Sequence, residues 1–227
     1  MIYLILSAFV YFIPGLWVNY TLNKHNDVLP NMPFTAKEFG EQLLKEKGLD
    51  DVKIETTKDG DQYDLIDKAV RVEPSRLDRK SLTSITVMCH EIGHAIQHKE
   101  EYPPLERRYK IAKVTNFLTK LATGIGYIGI PAILATGALP LIRVCLIVVF
   151  ASVLISMIIH LITLDVELDA SFKRAMPILE KKIPQEHHSA CKSILRVCAF
   201  TYVIASLTSI FQVRNLWMFV RIFLFRR

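Results

Sequence analysis

Acidic residues are missing from three stretches of this 227-residue chain: residues 1–18, 114–164 and 194–227. Of the 22 Asp and Glu residues, 17 lie in residues 19–113 and five in residues 165–193. A soluble protein distributes its carboxylates along the chain, whereas these acid-free stretches are also rich in apolar side chains. The segregation favours a membrane protein in which polar segments alternate with apolar ones.

The chain also lacks disulfide-type cysteine spacing and nucleic-acid-type basic patches. Its four cysteines form no C-x-x-C pair, which favours a reducing compartment for the polar segments. The net charge of +6 comes mostly from Lys and Arg in or beside the apolar stretches, so lipid headgroups are the predicted counter-charge. The polar segments contain no compact basic patch interleaved with aromatic residues, and nucleic acid is not a predicted partner.

The apolar stretches are long enough to cross a bilayer, which needs about 20 residues. Residues 1–18 have no basic leader and no A-x-A-like cleavage site, so they predict an uncleaved anchor. Segments at about 114–137 and 143–164, joined by the short GALPL turn, predict a transmembrane hairpin that returns the chain to the side it left. With the apolar segment that begins near Ile194, the sequence predicts about four transmembrane helices.

The first polar segment predicts a small α+β domain. Thr35 stands at a helix N-cap, and Glu38 stands at the capping-box position. The alternating patterns in DVKIET and KAVRVE predict two or three short antiparallel strands. A further helix is predicted from about Leu77 to about Lys99.

This last helix contains the motif H-E-x-x-H within TVMCHEIGHAIQHKE, residues 86–100. On a helix, His90 and His94 project from one face, where both imidazoles can bind one metal ion. Glu91 is rotated by about 100° from His90, beside the metal, where it can accept a proton from a metal-activated water. Gly93 costs about 1 kcal/mol relative to alanine in a helix, and it lets another backbone or a substrate approach closely.

The motif alone is weak, because a catalytic zinc needs three protein ligands and one open position. The nearby candidates fail: Glu100 stands where a third His would follow, and no Glu lies about twenty residues downstream in KIAKVTN. A transmembrane hairpin would return the chain to the same side at TLDVELDASFKRA. Glu167 is therefore the predicted third ligand.

The neighbours of Glu167 receive different predictions. Ala170 and Ser171 share its face, where the small Ala170 admits a partner helix and the Ser171 hydroxyl could hold a ligand. Asp165 and Asp169 fall on another face, and they are predicted to be solvent-facing or helix-capping groups. A role as a metal ligand, or as a group that holds a ligand in place, stays open for each.

A transition state that carries charge also needs a stabilising donor. Tyr63, Arg71 and Arg174 are candidates, and the sequence does not choose among them. An exposed edge strand could bind a peptide substrate by strand addition.

Several elements of the chain resemble the membrane-bound neutral zinc metallopeptidases of the YugP type. HEIGHAIQH matches the motif helix of that family, VELDAS is similar to its E-F-D/N-A-S element, and DQYDLIDKAVRV resembles its D-H-Y-D-P…V-R-L segment. The chain departs from the family at Gln62, Leu65 and Asp165, where His, Pro and Pro are usual. The resemblance covers most of the chain and implies a gluzincin-like peptidase with H-E-x-x-H and a downstream Glu.

The predicted function is a membrane-embedded zinc metalloendopeptidase. One catalytic Zn²⁺ is bound by His90, His94 and Glu167, and Glu91 deprotonates the water that attacks a peptide carbonyl. Membrane proteins or membrane-associated peptides are the predicted substrates. Two alternatives stay open: a catalytically silent zinc-binding membrane scaffold or chaperone, and a transporter or channel, which the scarcity of acidic residues in the apolar segments disfavours.

The predicted fold is mainly α, with about four transmembrane helices and a zincin-like α+β catalytic domain that contains a small antiparallel sheet. Basic residues around the hairpin favour a multi-pass protein of the cell membrane with its catalytic side in the cytoplasm, whereas the C-terminal arginines favour the opposite orientation. The predicted segments are an N-terminal anchor (1–18), a catalytic region (19–113), a transmembrane hairpin (114–164), a third-ligand helix with a polar loop (165–193), and a C-terminal transmembrane segment with a basic tail (194–227).

Overall fold

The computed structural model describes residues 2–137 and 140–201. Within these ranges the chain forms two compact units, of which the first contains residues 2–12, 107–137 and 140–163, and the second contains residues 13–106 and 164–201. Every predicted metal ligand lies in the second unit. The division into five segments is not tested by these units and stays a prediction.

The described residues are mostly helical, with one small sheet. In chain order the helices are α1 Ile2–Lys24, α2 Ala36–Glu46, α3 Pro74–Leu77, α4 Leu82–Lys99, α5 Pro103–Gly124, α6 Ile130–Thr136, α7 Pro140–Leu168, α8 Met176–Lys182 and α9, residues 188–201. Two stretches are π-helical, Ile125–Gly129 and Asp169–Ala175, and Gln185–His187 is a short 3₁₀ helix. The strands are β1 Lys53–Thr56, β2 Gln62–Asp64 and β3 Ala69–Val72.

Helix α2 begins where the sequence predicts it. The Thr35 hydroxyl accepts a hydrogen bond from the Glu38 backbone N–H at 3.2 Å, and the Glu38 carboxylate accepts one from the Thr35 N–H at 2.7 Å. This reciprocal capping box satisfies two backbone donors that the first turn leaves without helical partners. The helix then buries Phe39, Leu43 and Leu44 in the core of the second unit.

The sheet is mixed, so the prediction of an antiparallel sheet is wrong. Its order is β1-β3-β2, with β1 parallel to β3 and β2 antiparallel to β3. The tight turn lies between β2 and β3, where the Asp64 carboxylate accepts hydrogen bonds from the N–H groups of Ile66 and Asp67. The Thr57 N–H donates a hydrogen bond to the Val72 carbonyl oxygen at 2.9 Å, which continues the pairing of β1 with β3.

Helix α4 is the centre of the second unit. Ser81 caps its start by accepting a hydrogen bond from the Ser84 N–H at 3.1 Å, so the helix begins later than the predicted Leu77. Its apolar face, including Ile85, Met88 and Ile92, is fully buried. The core continues through apolar side chains of the π-helical stretch, α8 and α9: Ala175, Leu179, Ile194 and Leu195.

The prediction of about four transmembrane helices is wrong for the described residues. Within 2–137 and 140–201, no helix combines the length and the apolar character that crossing a lipid bilayer requires. The span predicted at about 114–137 is not one helix, because α5 ends at Gly124 and is followed by a π-helical stretch and the short α6. Residues 202–227, which hold much of the predicted C-terminal span, lie outside the described residues.

Candidate metal centre

Helix α4 places the two motif histidines side by side inside the second unit. His90 and His94 are 4% and 5% exposed. Their ring centroids lie 4.8 Å apart, with the ring planes at 77° to each other. The i, i+4 spacing on an α-helix therefore brings the two imidazoles together as the sequence predicts.

Glu167, near the end of α7, completes the group. Its Oε2 lies 3.2 Å from His90 Nε2 and 3.3 Å from His94 Nε2, and the residue is 1% exposed. One potential ligand atom from each of the three residues lies within 4.8 Å of the others. In the part of the chain that the structure describes, this is the one group of at least three His, Cys, Asp or Glu side chains placed to hold a metal ion.

The spacing of the three side chains suits zinc. Two imidazole nitrogens and one carboxylate oxygen form a usual ligand set for a catalytic zinc with one open position. Metal–ligand bonds of about 2.1 Å in a tetrahedral arrangement put neighbouring ligand atoms about 3.4 Å apart. The observed Nε2–Oε2 distances of 3.2 and 3.3 Å agree with that spacing.

A close backbone contact brings Glu167 within reach of α4. A Cβ atom added to Gly93 would stand 2.8 Å from the carbonyl oxygen of Ala170, in the π-helical stretch Asp169–Ala175. Only a residue without a side chain lets the two backbones approach this closely. The prediction that Gly93 admits another backbone is confirmed.

Gly93→Ala is therefore expected to destabilise the protein, although alanine is favoured over glycine in a helix by about 1 kcal/mol. The contact atom belongs to the backbone, so relief requires the two helical segments to separate, and such overpacking costs about 1–3 kcal/mol. A urea or thermal melt measures the loss. Gly15→Ala in α1 is the control, because a Cβ there meets nothing within 4 Å; equal stability of Gly93→Ala and the unaltered protein would contradict this account.

The second nitrogen of each imidazole contacts a buried polar side chain. His90 Nδ1 lies 3.1 Å from the Ser171 hydroxyl, which lies 3.4 Å from the Leu195 carbonyl oxygen. His94 Nδ1 lies 2.9 Å from Gln97 Oε1. Both Nε2 atoms consequently face Glu167. The predicted contact of Ser171 with a motif histidine is present.

Asp169 is buried, so its predicted solvent-facing position is wrong, whereas Asp165 is exposed as predicted. The Asp169 carboxylate accepts hydrogen bonds from Gln97 at 2.8 Å and from Arg174 Nε at 2.6 Å. The prediction took the helix face away from Glu167 to be exposed, but the side chains of Gln97 and Arg174 cover Asp169 there. Gln97 is not part of the H-E-x-x-H motif, although its position three residues after His94 puts it on the same helix face.

Charges around Asp169 keep its carboxyl group ionised. Burial raises the pKa of Asp169, but the hydrogen bond from Gln97 and the pair with Arg174 lower it by more, so the net pKa lies below its ordinary value. Arg174 also donates to Glu100 at 2.6 Å. The guanidinium is thus shared by two carboxylates.

The other proposed donors have partners as well. Arg71 pairs with carboxylates of the sheet and its turn: Glu55, Asp64 and Asp67. The Tyr63 hydroxyl lies 2.9 Å from His98 Nδ1. Burial, followed by the charges of Asp51 and Asp64, raises the pKa of Tyr63 to about 12. Tyr63 therefore stays a neutral phenol that can donate a hydrogen bond.

Glu91 directly follows His90 on α4 and is 6% exposed. Its carboxylate lies close enough to the Cys198 thiol, together with that of Glu167, to affect the thiol's ionisation. Burial and these two negative charges raise the pKa of Cys198, which disfavours the thiolate. Cys198 is not part of the group of three side chains placed to hold a metal ion.

A family model described as "Putative neutral zinc metallopeptidase" matches residues 1–222. The chain belongs to this zinc metallopeptidase family. It is also 33% identical over 210 residues to "Putative membrane protease YugP" of Bacillus subtilis (strain 168), a match that covers 91% of this chain and 88% of that protein. No solved structure matches the chain.

Membership of the zinc metallopeptidase family confirms the resemblance seen in the motif helix and in VELDAS. Zinc is the metal of this family, and His90, His94 and Glu167 lie close enough together to hold such an ion. The predicted role of each side chain is not tested by family membership, and it stays a prediction.

Proposed function

We propose that the protein is a zinc-dependent metalloendopeptidase in which His90, His94 and Glu167 hold the metal. One observation carries the proposal: two imidazole Nε2 atoms converge on a single Glu167 carboxylate oxygen, at 3.2 and 3.3 Å. All three side chains are nearly fully buried. Burying two imidazoles and a carboxylate costs free energy unless a hydrogen-bond partner or an ion compensates for the lost water. A zinc ion matches both the donor types and their spacing.

When bound, zinc polarises a peptide carbonyl and lowers the pKa of water to near neutrality. Glu91 is the proposed proton carrier, because it follows His90 directly and is not one of the three grouped ligands. Its carboxylate accepts the proton of the attacking water and donates it to the nitrogen of the leaving amine. Ser171 and Gln97 orient the two imidazoles through their Nδ1 atoms.

The proposed substrates are membrane proteins or membrane-associated peptides. The name of the Bacillus relative contains the words "membrane protease". In the first unit, large apolar side chains are exposed on α5, the following π-helical stretch and α7: Phe117 67%, Tyr127 81%, Ile128 74%, Val144 58% and Ile147 56%. Exposed apolar side chains in such number are typical of a surface that contacts lipid or protein. A peptidase with this surface would meet its substrates at the bilayer.

Metal removal tests the proposed function. The full chain is assayed on a fluorogenic peptide, then after treatment with a zinc chelator, and again after zinc is added back. The proposal expects hydrolysis that is lost with the chelator and restored by zinc, because both the carbonyl and the water depend on the metal. Hydrolysis that resists the chelator would contradict a zinc peptidase, and zinc-loaded protein without hydrolysis would favour the silent scaffold.

The substrate class is tested with the same peptide presented in two ways, free in solution and lipid-anchored on vesicles. The proposal expects faster hydrolysis of the anchored peptide at equal concentration, since apolar contacts would concentrate the enzyme at the vesicle surface. Equal rates for the two forms would contradict a preference for membrane-associated substrates. That result would leave the zinc-dependent activity itself untouched.

A further inference from the structure

The buried amide of Gln97 has a defined orientation. Gln97 is fully buried, and its Nε2 lies 2.9 Å from the carbonyl oxygen of Val166 and 2.8 Å from Asp169 Oδ2. The Val166 carbonyl can only accept a hydrogen bond, so the group that faces it must be the donating NH₂. The amide oxygen then faces His94 Nδ1, at 2.9 Å.

That orientation determines the tautomer of His94. The amide oxygen can only accept, so His94 must carry a proton on Nδ1. Whenever the ring is neutral, the lone pair therefore lies on Nε2, the atom that faces Glu167. A reversed amide would place its NH₂ against Nδ1 and would favour the opposite tautomer, with a proton on the ligand atom.

We infer that Gln97 is a positioning residue for His94 and that Asp169 acts through it, by holding the amide in the orientation that makes Nε2 a metal ligand. This inference rests on the proposed zinc site and names residues that support it. Arg174 holds Asp169 in turn, through a hydrogen bond of 2.6 Å. These hydrogen bonds form a connected series, His94–Gln97–Asp169–Arg174, which we call the glutamine chain.

The glutamine chain differs from the support of the other histidine. His90 Nδ1 contacts the Ser171 hydroxyl, which can rotate and can either donate or accept. Gln97 has no such freedom, because both acceptors around its NH₂ would lose their partner if the amide turned over. Leaving buried polar groups without a hydrogen-bond partner is costly, which favours one orientation.

The test uses the full chain and measures zinc affinity by competition with a chromogenic chelator. Gln97→Met keeps a long side chain but removes the acceptor for Nδ1–H, and we expect zinc to bind about 10- to 100-fold more weakly. Asp169→Leu removes one of the two acceptors that hold the amide in this orientation, and it is expected to weaken zinc binding to a smaller extent. Asp169→Asn is the conservative variant, because its amide oxygen can still accept from Gln97, and it should restore affinity close to that of the unaltered protein.

The double variant Gln97→Met/Asp169→Leu separates positioning from general damage. If Asp169 acts only through Gln97, the double variant binds zinc no more weakly than Gln97→Met alone. Glu100→Gln is the matched control, because it removes a partner of Arg174 outside the link from His94 to Asp169. It should leave zinc affinity unchanged.

A spectroscopic readout supports the affinity series. In the zinc-loaded protein labelled with ¹⁵N-histidine, we expect a His94 Nδ1–H signal that exchanges slowly with water, because the proton is buried and bonded. Gln97→Met should lose that slow exchange. A folded Gln97→Met variant that keeps the slow signal and binds zinc within about twofold of the unaltered protein overturns the inference. If that variant does not fold, normal zinc affinity in Asp169→Leu or a missing His94 Nδ1–H signal in the unaltered protein overturns the inference. Absence of zinc binding in the unaltered protein would instead refute the proposed function.

Discussion

Glu91→Gln is expected to abolish peptide hydrolysis while zinc stays bound. Glutamine has nearly the shape of glutamate but cannot accept and return a proton, and loss of such a group typically costs about 100- to 10,000-fold in rate. Because Glu91 is not among the grouped ligands, zinc content should stay at the level of the unaltered protein. The measurement is kcat on a fluorogenic peptide, paired with metal analysis of the same sample.

Glu101→Gln provides the control for Glu91→Gln. Glu101 is an exposed carboxylate just after the end of α4, so the same chemical change there should leave kcat unaltered. A Glu91→Gln variant that hydrolyses peptide at the normal rate would refute Glu91 as the proton carrier. Equal loss in both variants would point to a general effect of charge.

Glu167→Ala is expected to lose stable zinc binding. Removing one of three ligands should weaken affinity by more than about 100-fold, above the range for groups that only orient a ligand. Loss should also exceed that of Asp169→Leu, because Asp169 reaches His94 only through Gln97. Equilibrium dialysis or competition with a chelator measures the difference.

Asp165→Ala is the matched control for Glu167→Ala. Asp165 lies two residues earlier on α7 and is exposed, so its removal should leave zinc binding unchanged. Normal zinc affinity in Glu167→Ala would show that the third ligand is another group. A variant at Asp165 that lost zinc as completely would also contradict the assignment.

Local features of the fold followed from the sequence because each depends on residues close in the chain. The capping box of Thr35 and Glu38 and the i, i+4 pair of His90 and His94 are set by helix geometry alone. Strand positions were predictable from alternation, but strand pairing was not. The turn at Asp64 joins β2 and β3, which pair antiparallel, whereas β1 pairs with β3, a strand that does not follow it directly in the chain.

Glu167 lies beside His90 and His94 as predicted, but the transmembrane hairpin from which its position was predicted is not found in the described residues. A transmembrane hairpin was expected to return the chain to the motif helix, yet no described helix is suited to cross a bilayer. The local cause visible in the structure is the backbone contact between Gly93 and Ala170. Gly93 alone indicated a close approach, but its partner could not be read from the sequence.

The glutamine chain was hidden for a different reason. Asp169 follows Glu167 by two residues, which on a regular α-helix puts it on another face. That face is nevertheless buried, because Gln97 of α4 and Arg174 both donate hydrogen bonds to the Asp169 carboxylate. The sequence DASFKRA does not indicate which residues of the distant α4 lie against it. The i, i+3 spacing on α4 predicts that Gln97 lies beside His94. The orientation of its amide cannot be predicted without the two acceptors of its NH₂, which come from a distant part of the chain.

A crystal structure of the zinc-loaded chain, with anomalous scattering measured at the zinc absorption edge, tests the metal centre most directly. The account predicts one strong peak bonded to His90 Nε2, His94 Nε2 and a Glu167 carboxylate oxygen, at about 2.0–2.2 Å from each. A peak elsewhere in the chain, or a zinc ion on the two imidazoles with the Glu167 carboxylate beyond bonding distance, would contradict it.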